Sequence, residues 1–285
     1  MPYPAIDDAD FATFWQDGYV LKRGFFDGEE VGLLHRAIGL DEGIRSHVAQ
    51  INDSHGATTE LALWNHPGDD LFGMVARSER MVGGMERLLG GEVYHYHSKL
   101  TMKRPRVGGA WDWHQDYGYW YFNGCLFPDM ASVFIAVDPS TRENGCLEVL
   151  RGSHKLGRIE HGRVGGQTGA DMERVEQAMR VLEHVYVEMA PGDALFFHSN
   201  VLHCSSQNRS DKPRNVLLCC YNRASNNPYK LHHHPQYTPL ARVPDSRIKE
   251  VGLTLAGSAR EFYRPEEDKT AEAVLAAATP PQAAR

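Results

Sequence analysis

Residues 111–117 read WDWHQDY. Along a β-strand, positions i and i+2 point to the same face. A strand here would aim the His114 imidazole and the Asp116 carboxylate at one point. An imidazole and a carboxylate aimed at one point make two-thirds of a metal site, which a second histidine would complete. The fold therefore turns on what surrounds this stretch and on where a second histidine can come from.

The surroundings are β-rich. VYHYHSKLTMK (93–103), SVFIAVD (132–138), CLEVLRGSH (146–154), VYVEMAPGDALFFH (185–198) and RNVLLCCYNRAS (214–225) are short apolar or alternating runs. Turn signals at 105–109 (PRVGG), 143–145 (ENG) and 191–193 (PGD) separate them. The earlier part has another texture. Asp7 followed by Phe11, Phe14 and Trp15 predicts a capped helix, and 18–24 a short strand between glycines. Helical spacing recurs over 29–40 and over 69–89, the latter weakened or interrupted at Gly83 and Gly84. Residues 169–184 form a helical or looped excursion. Helices first and strands later, without βαβ alternation, predict an α+β fold with an antiparallel sandwich or barrel. One domain is expected over 1–285: a mainly helical flank over 1–91, a β core over 92–240, and a low-complexity tail over 268–285 that frays.

Bulk composition narrows the function. The 285 residues are 42% hydrophobic and 24% charged, as in an ordinary globular protein. A net charge of −7 offers no broad positive field for phosphates, so a nucleic-acid partner is not expected. Five cysteines without a C-x-x-C pair do not make a disulfide framework, and the acidic start is no signal peptide. No window approaches a membrane span. A reduced, cytoplasmic protein is expected, as a monomer or homodimer.

The run 190–206 offers His198 and His203 after a turn and a buried strand; His198 is read as a core histidine or one that supports the site from behind, not as a ligand. Arg214 follows His203 by eleven residues, at the head of the next strand, where a guanidinium can grip a carboxylate through two bonds. His97 and Lys99 share a strand face that can reach the same cavity.

Together these pieces resemble the phytanoyl-CoA dioxygenase family of Fe(II)/2-oxoglutarate oxygenases. The resemblance runs through HSKL (97–100), WHQDYGYW (113–120), ENGCLEVLRGSHK (143–155), PGDALFFHSNVLHCSSQNRSDKPR (191–214) and HHHPQYTP (232–239), in order. It implies a double-stranded β-helix, the cupin-like jelly roll, flanked by N-terminal helices. It implies Fe(II) held by His114, Asp116 and His203, with 2-oxoglutarate and O₂ as co-substrates. Arg214 would bind the distal carboxylate of 2-oxoglutarate with Ser205 beside it, and His97 and Lys99 would lie near. The family often carries glutamine where this chain has His97. Related halogenases have a small residue in place of the carboxylate, so the presence of Asp116 implies hydroxylation.

A small polar substrate is expected, with a 2-aminoethylphosphonate-like or N-methylated zwitterion first. Ectoine, an amino acid or a natural-product intermediate come next. Trp113, Tyr117, Tyr119 and Trp120 pack the core or cage an ammonium by cation–π attraction. Lys103, Asn222 and Arg223 are further candidates for substrate contact. His232, His233 and His234 are read as surface or packing residues, because consecutive residues rarely converge on one ion. A zinc hydrolase and a non-catalytic cupin-like binding protein are the rivals.

Overall fold

The computed structural model describes residues 3–255 and 260–264. Its strands, in chain order, are β1 (Tyr19–Lys22), β2 (Ala49–Asn52), β3 (Thr58–Trp64), β4 (Val93–Lys103), β5 (Trp111–His114), β6 (Met130–Ala136) and β7 (Leu147–Leu150). There follow β8 (His161–Val164), β9 (Gln167–Ala170), β10 (His184–Val187), β11 (Ala194–His198), β12 (His203–Ser205) and β13 (Arg214–Arg223). The helices are α1 (Asp8–Asp17), α2 (Gly28–Leu40), α3 (Glu42–Ser46), α4 (Leu71–Arg77), α5 (Glu79–Leu89), α6 (Asp116–Trp120), α7 (Met172–Met179) and α8 (Arg247–Val251).

A seven-stranded antiparallel sheet has the order β1-β11-β6-β13-β4-β3-β2, and a four-stranded sheet the order β10-β7-β12-β5. The two sheets are the walls of the jelly roll, and β8-β9 is a separate hairpin. Strand β6 is buried on both faces. Its Ala131, Val133 and Ile135 meet the helical layer, where Phe72, Val75, Met81 and Met85 lie. Its Phe134 and Ala136 turn inward, toward Leu147 and Val149 of the facing sheet. That double burial explains why SVFIAVD reads as one apolar run without alternation.

Both early helices are closed by capping boxes. Asp7 accepts from Asp10 N at 2.9 Å, and Asp27 accepts from Glu29 N and Glu30 N at 3.0 Å each. Each such cap is worth about 1 kcal/mol.

Three expectations change. The 69–89 helix breaks at Ser78, not at Gly83–Gly84. Ser78 is extended and bridges to Val243, whose carbonyl accepts from Glu79 N at 3.0 Å. Helix α5 runs through both glycines. Gly84 lacks a side chain for packing reasons, since a Cβ there would lie 2.9 Å from Ile6 Cγ1. In the 1–91 flank the strand expected at 18–24 is β1, paired with β11, but β2 and β3 were not expected, and β3 pairs with β4. The third concerns the opening stretch. Strand β5 ends at His114, and Asp116 opens helix α6, so the two side chains converge across a strand-to-helix corner. The expected tail, 268–285, lies outside the described residues. Among the described residues no helix is long and apolar enough to cross a membrane.

Candidate active site

Gln115, the middle residue of His-x-Asp, makes the corner. It has no exposure, and its side chain donates to Gly157 O and Asn200 O, both at 2.8 Å, and accepts from Ile159 N at 2.7 Å. Its own N–H donates to His161 Nε2 at 2.9 Å. With every polar atom of the turn tied down, neither neighbour can swing.

The second sheet brings the other histidine. β12 pairs with β5 in a register that sets His203 directly opposite His114, and the ring centroids are 4.1 Å apart. Ligand atoms of His114, Asp116 and His203 all lie within 4.8 Å of one another. His114 Nδ1 donates to Asp112 O at 2.7 Å, and His203 Nδ1 donates to Val201 O at 2.9 Å. Both tautomers leave Nε2 with a lone pair for a metal. Burial lowers both pKa values, so the rings stay neutral, as metal ligands must. Asp116 Oδ2 accepts from Ser132 Oγ at 3.0 Å, and Oδ1 remains toward His203 and Lys99, each 3.9 Å away.

These groups line a cavity of ≈ 320 Å³. Arg214, 1% exposed, lies in its wall; its Nε and Nη2 have no hydrogen-bond partner, and its guanidinium sits 5.7 Å from the Phe134 ring centroid. Burial pushes its pKa down to about 10, which still leaves it charged at neutral pH. A buried guanidinium with idle donors fits a carboxylate that is not part of the chain. His97 is also buried in the wall, with both ring nitrogens unpartnered.

The sequence profile of the phytanoyl-CoA dioxygenase family matches residues 14–216. The chain belongs to this family. An L-proline trans-4-hydroxylase from Streptomyces griseoviridis is 35% identical over 253 residues, 82% of this chain and 91% of that protein. The ectoine dioxygenase of Halomonas elongata is 28% identical over 84% of this chain and 77% of its own length. The fold is shared with EctD from S. alaskensis, whose crystal structure holds 2-oxoglutarate and 5-hydroxyectoine. The TM-score is 0.68 at 23% identity, covering 84% of this chain and 89% of that one. The protein is a 2-oxoglutarate-dependent dioxygenase with iron as its cofactor, a hydroxylase of a small polar molecule. The zinc-hydrolase and non-catalytic readings end here.

In this dioxygenase the cavity brings together His97, Lys99, His114, Asp116, Tyr119, Trp120, His203, Ser205 and Arg214. Other expected residues lie elsewhere. Trp113 alternates to the other side of β5 and packs on His184, ring centroids 5.4 Å apart. Tyr117 is buried and donates to Cys125 O at 3.0 Å. Lys103 lies behind Ser205, to whose hydroxyl it donates at 2.7 Å. Asn222 is sealed beneath Tyr94 and Asn226, and Arg223 turns outward to Gly90 O. His198 packs between Trp15 and His154, away from the triad.

Sequence reading missed several lining residues. Leu61 and Leu63 arrive on β3, a strand in the supposed helical flank, and Gln167 and Thr168 on the β8-β9 hairpin. His233 and His234 also line the cavity, and the His234 ring stacks on His97 at 4.6 Å. The triple histidine was visible; only the fold-back of the 232–239 segment onto Asn65 gave it a place.

Proposed function

We propose that His114, Asp116 and His203 hold the iron, that Arg214, Ser205 and Lys99 receive 2-oxoglutarate, and that the substrate is a small cyclic amino acid of the L-proline or ectoine kind. Bound iron supplies the oxidation, coupling decarboxylation of 2-oxoglutarate to insertion of one oxygen atom into a C–H bond. The chain's own groups bind, orient and exclude water.

The observation that carries the substrate reading is the order of groups along the cavity. On the β4–β13 ladder Arg214 faces Lys103, Leu218 faces Lys99, and Cys220 faces His97. At ~3.3 Å per residue, the backbone levels of Arg214 and His97 are about 20 Å apart. Lys99, beside Asp116, marks the metal level between them. Among the described lining residues the cations are Lys99 and Arg214. The far end carries His97 and His234, whose pKa values burial holds well below the ordinary histidine value. Trp120 and Asn123 join them there. Neutral donors and acceptors on an aromatic wall suit an ammonium and a single carboxylate. A phosphonate dianion asks for cations that this end lacks. The relative that acts on L-proline supports the same reading. This reading is preferred to the aminoethylphosphonate expectation. A cavity near the lower bound for ligand pockets, shared with the co-substrate, also favours a small substrate.

The test is anaerobic addition of Fe(II) and then 2-oxoglutarate, followed by succinate release in air with L-proline, ectoine and 2-aminoethylphosphonate. A visible charge-transfer band that needs both partners is expected. So is succinate release stimulated by a cyclic amino acid well above the substrate-free rate. Stimulation by the aminophosphonate alone would refute the substrate reading; absence of the band would refute the iron ligands.

A further inference from the structure

Four aromatic rings run from the cavity wall to the surface, and the reaction so far has no use for three of them. Trp120 lines the cavity about one helical turn beyond Asp116. Behind it stands Tyr96, ring centroids 5.4 Å apart, then Tyr94 at 6.4 Å and Tyr237 at 5.7 Å. Each step is an edge contact between neighbouring rings. Trp120, Tyr96 and Tyr94 are buried, and Tyr237 is 36% exposed.

Aromatic pairs of this geometry pack any core. The hydroxyls add something that packing does not ask for. Those of Tyr96 and Tyr94 accept from the amides of Asn123 and Asn222, at 3.3 and 2.9 Å. Tyr237 instead donates to the Glu92 carboxylate at 2.5 Å. A phenol that gives up an electron becomes a strong acid, so the hole settles where a base takes the proton. In this line of rings the carboxylate stands at the surface end. Burial raises the pKa values of Tyr94 and Tyr96, and Glu92 raises that of Tyr237, so all three hold their protons before any oxidation.

We propose that Trp120, Tyr96, Tyr94 and Tyr237 form an electron path that discharges the oxidant of this enzyme when no substrate is bound, with a soluble ene-diol reductant such as ascorbate as the electron source at Tyr237. The proposal rests on the iron reading above. Decarboxylation of 2-oxoglutarate without substrate leaves two oxidising equivalents in the site. Two electrons and two protons return it to Fe(II) and release water. Each electron leaves the Trp120 indole, and the hole passes through Tyr96 and Tyr94 to Tyr237. There the O–H proton moves to Glu92 as the electron departs, and no carbon bond is formed or broken. The reductant restores the phenol each time. Over both steps one ascorbic acid becomes dehydroascorbate, and its two protons balance those taken up in the water.

The test is substrate-free turnover in air with Fe(II), 2-oxoglutarate and catalase. Ascorbate is omitted, the radical trap 2-methyl-2-nitrosopropane is added, and adducts are located by peptide mass spectrometry. In the wild type the adduct forms on Tyr237, while Tyr229, more exposed at 68%, stays unlabelled. Labelling in order of exposure would reveal a diffusing oxidant and overturn the proposal. Glu92→Gln keeps an acceptor for the Tyr237 hydroxyl but is no base, and the Tyr237 adduct is lost. Tyr94→Phe keeps the ring and removes the readily oxidised phenol, so the adduct leaves Tyr237 and added oxygen appears on Trp120 or Tyr96. Substrate-coupled succinate release is unchanged in both variants. Either one retaining the Tyr237 adduct overturns the path. So does a wild-type adduct confined to Tyr119, whose ring lies 5.8 Å from that of His114. If Tyr94→Phe does not fold, Glu92→Gln at the surface decides alone. A charge-transfer band without any labelled tyrosine also overturns the path; failure of the iron reading looks different, because then no band forms.

Discussion

Arg214 carries the largest single consequence at the residue scale. Its guanidinium is buried, keeps its charge, and leaves Nε and Nη2 without partners. Hydrogen bonds to a charged group contribute about 1.5–3 kcal/mol, or roughly 10- to 100-fold in affinity. Arg214→Met should therefore raise the KM for 2-oxoglutarate by that factor and leave Fe(II) affinity near the wild-type value. Equal losses in both would show that the side chain supports the fold and not the co-substrate. The His114 and His203 rings owe their usefulness to local backbone. Each donates Nδ1–H to the carbonyl two residues upstream, so the tautomer is set before any metal arrives.

At the scale of elements, the corner between β5 and α6 controls the metal geometry. His161 sits against it, donating to Ile159 O at 2.8 Å and accepting from Gln115 N at 2.9 Å. That ring is locked at both nitrogens. A Cβ on Gly118, two residues beyond Asp116, would overlap it. Overpacking of this kind costs about 1–3 kcal/mol and is relieved by displacement of the backbone that carries the new side chain, here α6 with Asp116. Gly118→Ala should weaken Fe(II) binding about 10- to 100-fold, the range seen when supports of metal ligands are lost. Titration of metal-free variant and wild type checks this, and equal affinities would refute the corner's role. A second element-scale device holds the cavity's β3 wall. Residues 260–263 pair back onto β3, where Tyr263 N donates to Leu63 O at 2.8 Å. The fully buried Arg260 donates to Asp70 Oδ2 at 2.6 Å and also bonds to Asp41. Removing it takes the cation from two buried carboxylates, which keep their backbone bonds from Ile44 N and Gly73 N. Arg260→Met should cost about 3–5 kcal/mol in urea unfolding; a loss below about 1 kcal/mol would mean the carboxylates find other partners.

For the whole molecule, the buried histidines set the response to acid. Burial holds His161 down at about 4, and His95 and His198 at about 3, against an ordinary value of 6.5. Between those values the unfolded chain binds protons that the folded chain does not, so stability rises with pH across the window. The stabilisation is complete above pH 6.5 and falls as pH drops toward 4, by up to about 1.4 kcal/mol per pH unit for each histidine. Thermal midpoints of the metal-free protein should be level from pH 7 to 8 and fall steadily below about 6. A midpoint unchanged between pH 7 and 4.5 would show that these rings gain protons without unfolding.

By itself the sequence determined the α+β class, the β-rich core after residue 92, the capped first helix and the residue types of the triad. These are local matters: strand-forming runs, turn residues and an N-cap act within a few positions. It also contained the family resemblance, because ordered motifs survive in one dimension. The tertiary structure decided which groups meet. That His203 stands opposite His114 depends on the β12–β5 register, a pairing of residues about ninety positions apart. That Lys103 faces Ser205 and not the cavity depends on how the sheets close. That His234 stacks on His97 depends on a fold-back to Asn65 across 169 positions. Such contacts have no local signal, since the free energy that selects them comes from burying both sheets and the helical layer at once.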